Sequence, residues 1–396
     1  MRELTFLGTG HLEWRERPTP ALEAATDALV RPFVASRCDG DTLPLHRPVS
    51  RPMQAGLKLG LIDPVVGHIA GPIPFAGPFG IGHECVAEVT ALGSEVTGLE
   101  VGDRVVVPWA LSCGTCVECQ RGITAKCSTM IADSPGKTLA AFGFGPTCGP
   151  WGGAVSDALR IPNADHMLVK VPLGVDPLRV AAAGDNLADA WRSVVPALRH
   201  RPGGRVLVMG GGGKSIGLYA AGLAAAHGAE VDYTDDDPSR LAIAAGLGAQ
   251  AHQVPKRGAT PARLPPGRGY DIVVEASSRG AGLRAGLRAL NAGGVCTGTG
   301  YYLAKDTRLP VMDMYATSAT LHVGVSSVRP VLPDLLDFIA ATGFPAERVT
   351  TTLADWDDAP TAYQEHTTKL VLHRTPLSPT LRTASPHTQE APAEQP

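Results

Sequence analysis

Residues 205–217 read Arg205-Val206-Leu207-Val208-Met209-Gly210-Gly211-Gly212-Gly213-Lys214-Ser215-Ile216-Gly217, and an Ala-rich helical stretch runs on from Ile216 to His227. A compact apolar strand thus passes straight into a glycine turn and then a helix. Glycines at such a turn let backbone N–H groups and a helix N-terminus approach a pyrophosphate. The spacing is GxGxxxG through Gly211, Gly213 and Gly217 rather than GxGxxG, so the flanking strand and helix carry the reading. The candidate phosphate contacts are Gly211, Gly213, Lys214, Ser215, Ile216 and Gly217. Asp235 ends the next strand-like segment, roughly 20 residues on, where an acid accepts bonds from the adenosine ribose hydroxyls and repels a 2′-phosphate. Asp236 and Asp237 follow with no immediate arginine, which favours NAD over NADP; the plainer alternative is a solvated acidic turn.

Further along the chain, helix-like Pro238 to Gly246 leads to the strand Tyr270 to Glu275, a helix near Leu283 to Leu290 and a strand at Gly294 to Thr297. Strands alternating with helices predict a parallel, doubly wound α/β sheet over residues 181–325. The first 170 or so residues differ: short extended segments such as Val86 to Leu92, Arg104 to Val107 and Ala154 to Ile161 are separated by Gly and Pro. These, with residues 326–374, predict a second, β-rich domain. Residues 42–80 form a Pro-studded insertion with one apolar piece, Met53 to Ile62, and read as loop-rich. A helix near Val331 to Thr342 and a strand around Lys369 to Leu372 close the ordered part. Residues 375–396, rich in Pro, Thr and Ser, predict a disordered tail.

Composition agrees with a two-domain protein. The 396 residues carry Lys+Arg 35 against Asp+Glu 38, a formal charge of −3, so no basic surface argues for nucleic acid or anionic lipid. No apolar run reaches the ~20 residues of a membrane helix. The start, Met1-Arg2-Glu3-Leu4-Thr5-Phe6, lacks the layout of a secretory signal. A cytoplasmic protein is expected.

Four of the eight cysteines, Cys113, Cys116, Cys119 and Cys127, are spaced C-x2-C-x2-C-x7-C. Two-residue gaps let neighbouring thiolates face one ion, and Gly114 and Gly122 supply the backbone freedom of a tight knuckle; a structural zinc is the leading reading. An iron–sulfur cluster and unligated thiols are the alternatives.

The quartet, preceded by Gly82-His83-Glu84 and by Cys38-Asp39-Gly40-Asp41, resembles the zinc-dependent medium-chain alcohol dehydrogenases. So do Thr9-Gly10-His11-Leu12-Glu13-Trp14-Arg15-Glu16, similar to that family's first hairpin, and Gly102-Asp103-Arg104-Val105, similar to its turn before the lobe. The likeness runs in order from residue 1 to about 373. It implies a GroES-like catalytic domain joined to a Rossmann domain, with two zinc ions per chain and NAD. It also implies a small alcohol or carbonyl substrate and a homodimer or homotetramer.

On this resemblance Cys38 and His83 are the first two ligands of a catalytic zinc, and Asp185 stands where the third falls. Asp185 as a helix N-cap, or Cys148 as the ligand, are the alternatives. Glu84 matches a residue that approaches the metal during ligand exchange, and Asp41 a carboxylate that orients the ligand histidine. The departure is Gly40, where the family carries Ser or Thr to relay the substrate proton; Thr42 or His46 are the nearby substitutes. Hydride transfer between NAD(H) and an alcohol, aldehyde or ketone is the expected reaction. Dehydrogenation of a polyol, sugar or natural product, or non-catalytic zinc and nucleotide binding, are the other readings.

Overall fold

The computed structural model describes residues 1–255 and 269–377. Its central feature is a six-stranded, all-parallel sheet in the order Gln250–Gln253, Glu230–Asp235, Arg205–Met209, Tyr270–Glu275, Leu290–Gly298 and Thr320–Val323. The apolar run at 206–209 is explained by burial on both faces, as in a covered parallel sheet. Val206 and Val208 pack with Trp191, Leu218 and Tyr219, whereas Leu207 and Met209 pack with Leu283 and Leu287 on the other side. Helices Asn186–Arg199 and Lys214–Ala226 belong to the first of these layers.

The β-rich half is built on a second sheet in the order Thr352–Asp355, Leu370–His373, Ala28–Ser36, Glu84–Leu92, Arg104–Val107 and Val169–Lys170, with Leu159–Ile161 also pairing to Ala28–Ser36. A three-stranded sheet of Arg2–Gly8, His11–Glu16 and Phe79–Gly80 stands beside it.

Four local expectations are corrected. The 42–80 insertion is not mainly loop: it holds helices Thr42–His46, Ser50–Lys58 and Pro64–Ala70. Prolines there start helices as well as break them: Pro64 opens the third, and the Asp63 carboxylate caps it by accepting from the Val65 N–H at 3.0 Å. The expected strand 154–161 is strand only at Leu159–Ile161, because Ala154 and Val155 instead bond Gly82 and Leu4 as irregular backbone. Helix Leu332–Thr342, assigned by chain order to the β-rich half, lies on helix Asn186–Arg199, with Phe338 5.3 Å from the Trp191 ring and Arg199 bonded to Asp334 at 2.7 Å. Residues 375–377 are tied down, Arg31 bonding the Thr375 carbonyl at 2.9 Å and the Leu377 N–H bonding Glu88 at 2.7 Å. The rest of the expected tail, 378–396, lies outside the described residues. Among the described residues no helix is long and apolar enough to cross a membrane.

Candidate active site and metal centres

Strand pairing assembles the first centre. Cys38 follows strand Ala28–Ser36 and His83 precedes strand Glu84–Leu92; these strands pair with Ser36 opposite Glu84, which sets the two side chains side by side. Asp185 enters from the residue before helix Asn186–Arg199. The Cys38, His83 and Asp185 ligand atoms all lie within 4.8 Å of one another. Asp185 Oδ2 is 3.1 Å from Cys38 Sγ and 3.4 Å from His83 Nε2. Asp185 makes no capping bond to its helix, so the N-cap reading fails. Cys148 is elsewhere, its Sγ 3.6 Å from the Ile69 carbonyl.

Zinc fits these residues. His83 is buried, yet neither ring nitrogen has a hydrogen-bond partner among the described residues, an unusual state for a buried imidazole. A thiol, an imidazole and a carboxylate converging on one point are the donor set of an open catalytic zinc site. Asp41 Oδ1 stands 3.9 Å from His83 Nδ1, on the ring's other side and beyond hydrogen-bond distance. Burial works to lower the His83 imidazolium, but Asp41 and Asp185 outweigh it and hold the ring up at about 9; burial, then Asp185, also pushes the Cys38 thiol up. Both groups hold protons at neutral pH that a metal must displace. Zinc loading at pH 7 is therefore expected to release about two protons at this centre, with affinity rising as pH climbs towards 9. Titration calorimetry in buffers of different ionisation enthalpy reads this directly; buffer-independent heats would refute it.

Glu84 points the other way from its neighbour His83. Its carboxylate accepts from Ser36 Oγ, from the Asn186 N–H at 2.7 Å and from Lys369 Nζ at 2.6 Å, with both ends of the ion pair fully buried. The expected excursion of Glu84 towards the metal meets this lock. Lys369 also donates to Asn186 Oδ1 at 2.8 Å, while Asn186 Nδ2 donates to Cys38 Sγ at 3.2 Å and Asp185 Oδ2 at 3.0 Å. Glu84 and Lys369 thus hold the asparagine that braces two ligands. Neither Asn186 nor Lys369 was singled out in the sequence; the available signal was a lysine opening the apolar run 370–372.

In the glycine turn, Gly211 adopts φ +141°, a conformation L side chains rarely take, whereas a Cβ on Gly217 would meet Tyr233 at 3.5 Å and Val208 at 3.6 Å, ordinary contact distances. The Gly213 N–H bonds the Ala276 carbonyl at 2.7 Å. The first helical donors are taken from within the protein: Ser215 N and Ile216 N donate to Asp39 Oδ2 at 2.8 and 3.2 Å, and Ser215 Oγ donates to Asp39 Oδ1 at 3.0 Å. Lys214 Nζ lies 3.4 Å from the Thr367 carbonyl. Asp235 is fully buried and does have an arginine: Arg240 donates to it through Nε at 2.8 Å and an η-nitrogen at 2.5 Å, and Tyr233 adds a bond at 2.8 Å. Arg240 is only five residues on, and the first turn of helix Pro238–Gly246 folds it back over the strand end.

The quartet closes as its spacing predicts. The sulfurs of Cys113, Cys116, Cys119 and Cys127 lie within 4.8 Å of one another, and none is in a disulfide. Backbone N–H groups point at the sulfurs, Cys116 N to Cys113 at 3.3 Å and Cys113 N to Cys127 at 3.3 Å. Burial opposes ionisation of Cys113, but bonds from Thr115 and Thr129 draw its thiol down to about 5, poised as a thiolate ligand.

Comparison with known proteins agrees with both halves of this geometry. Residues 25–173 match the alcohol dehydrogenase GroES-like domain, and residues 215–341 match the zinc-binding dehydrogenase domain. The chain belongs to the zinc-dependent medium-chain dehydrogenase family and is a zinc-dependent oxidoreductase that uses a nicotinamide cofactor. It is similar to a probable zinc-binding alcohol dehydrogenase of Mycobacterium tuberculosis, 28% identical over 92% of this chain and 84% of that one. It is also similar to D-altritol 5-dehydrogenase of Agrobacterium fabrum, 36% identical over 43% of this chain and 46% of that one. The solved alcohol dehydrogenase of Thermus sp. ATN1 has a TM-score of 0.77 and 27% identity, covering 94% of this chain and 99% of its own.

Proposed function

We propose that Cys38, His83 and Asp185 hold a catalytic zinc and the four cysteines a structural one, in an enzyme that moves hydride between NAD(H) and an alcohol and its aldehyde or ketone. The observation that carries the reading is the three-ligand cluster linked through Asp39 and Asn186 to the start of the dinucleotide helix. When bound, zinc polarises the substrate oxygen and the nicotinamide carries the hydride. The chain's own residues shape the chamber: Phe144 lies 4.6 Å from the His83 ring and Trp109 5.3 Å from Phe144, an apolar wall that displaces water from the reacting carbon. Asp235, the acid that ends strand Glu230–Asp235, supports NAD by its position, with Arg240 orienting its carboxylate; a kinetic preference for NADPH would overturn that choice. Metal analysis near two zincs per chain together with NADH formation on an alcohol panel tests the whole reading, and failure of both would favour a non-catalytic binder.

The likeness to D-altritol 5-dehydrogenase supports a polyol substrate as the second reading; polyols outrunning simple alcohols on the same panel would select it. Exposed Met312, Tyr315 and Val323, beside the edge strand Thr320–Val323, support self-association, which light scattering would read. Two thiolate-bearing centres support a reducing, cytoplasmic location.

Asp39 sets the dinucleotide affinity in this proposal. It places a carboxylate on the helix N–H groups that a pyrophosphate would use. Removing that charge with Asp39→Asn is expected to tighten NADH binding about tenfold, the equivalent of about 1.4 kcal/mol of relieved repulsion. A fluorescence titration showing equal or weaker binding would place the pyrophosphate elsewhere.

A further inference from the structure

Gly40 leaves the edge of the three-ligand centre without a side chain. A Cβ built there would stand 3.7 Å from Cys38 Sγ, 3.5 Å from Tyr301 Cε2 and 4.0 Å from the Tyr301 hydroxyl oxygen. The substitutes nearby in sequence are engaged elsewhere. Thr42 Oγ1 donates to the Asp39 carbonyl at 2.7 Å. The His46 ring lies against His366 with centroids 4.0 Å apart and a 32° tilt, and its Nε2 lies 3.1 Å from the Gln364 carbonyl. Tyr301 arrives from the segment after strand Leu290–Gly298, in the nucleotide half of the chain. Its neighbour Tyr302 turns away to bond Glu275, so only the first of the paired tyrosines reaches Gly40.

We propose that Tyr301 is a catalytic residue: its hydroxyl stands beside the space Gly40 leaves open and hydrogen-bonds the reacting oxygen of the substrate. The proposal rests on the reading of Cys38, His83 and Asp185 as the zinc ligands. In alcohol oxidation the substrate O–H proton passes to the phenol oxygen while the phenol's own proton passes to water in the cleft. The alcohol is oxidised, the nicotinamide is reduced by the hydride, and Tyr301 stays neutral throughout. Carbonyl reduction runs the same transfers backwards. Tyr301 as a residue is 57% exposed, so water has access to its side chain. A side chain at 40 and the ring at 301 would be neighbours at ordinary contact distance beside Cys38.

The test compares Tyr301→Phe, Gly40→Ser and the double variant in the zinc-loaded protein. Tyr301→Phe is expected to lower kcat/KM about 10²-fold, on the scale of one lost bond to a reacting oxygen, with zinc content and NADH affinity unchanged. A second readout needs no turnover. Acetamide, whose carbonyl oxygen imitates the substrate's, should quench or shift the fluorescence of the NADH complex with about tenfold weaker affinity in Tyr301→Phe. Adding Gly40→Ser to Tyr301→Phe should restore about a tenth or more of the lost rate. A Tyr301→Phe protein that keeps parental kcat/KM and acetamide affinity overturns this proposal alone. A parent protein with zinc only at the four cysteines overturns it together with the reading beneath it, and metal analysis shows that before any variant is made.

Discussion

Cys38→Ser and Asp185→Ala are each expected to lower bound zinc from two ions per chain to one and to reduce kcat/KM by roughly 10³-fold, the scale on which electrostatic stabilisation of a reacting oxygen operates. Asp185 Oδ2 is the atom that both other ligands face, 3.1 Å from Cys38 Sγ and 3.4 Å from His83 Nε2, so its loss opens one corner of the site. The remaining ion should be held by the cysteine quartet and resist mild chelation. Asp185→Cys should keep two zincs and hold the catalytic one more tightly, because a thiolate is the softer donor. Metal analysis after brief chelator treatment, beside a thermal melt to confirm folding, decides the matter. Should Asp185→Ala keep both ions while Cys38→Ser loses one, Asp185 is not a ligand.

Lys369→Met carries the largest expected cost in stability. The variant would leave Glu84 fully buried without its cation, and removing one partner of such a pair costs about 3–5 kcal/mol, a fall in Tm on the order of 10 °C. Glu84→Gln added to Lys369→Met should recover most of the loss, since no charge then stays buried unpaired. The pH dependence has a definite sign. Burial already raises the Glu84 carboxyl above its ordinary 4.5, and loss of Lys369 raises it further. A raised carboxyl favours the protonated form, so the variant's deficit should be small below about pH 4.5 and grow as pH rises. A deficit independent of pH would mean that Lys369 acts by packing alone. Because Glu84 and Lys369 both hold Asn186, the single variant should also weaken catalytic zinc at temperatures where the fold persists.

Much of this protein is legible in one dimension. Strands Arg205–Met209 and Tyr270–Glu275 and helix Pro238–Gly246 fall where apolar runs and helix-start signals place them, and the Cys113–Cys127 knuckle follows from its two-residue gaps. These features are local, set by side-chain periodicity and by what a short loop can reach. Pairings across the chain were harder. The likeness pointed Asp41 at His83, but nothing between positions 37 and 42 says that Asp39 would turn to a helix start at 215. Nor does Glu84 announce Lys369, 285 residues away.

Short-range pattern was enough for the two-part architecture, the cysteine knuckle and the family to which both belong, because each is written in residues close along the chain. Only the folded arrangement decided that Asp185 faces a thiol and an imidazole instead of capping its helix, that Arg240 closes on Asp235, and that Tyr301 stands over Gly40. The first and last of these depend on strand register and on how the two halves of the chain pack together, across long stretches of sequence; the second depends on how a helix start folds back on the end of its own strand.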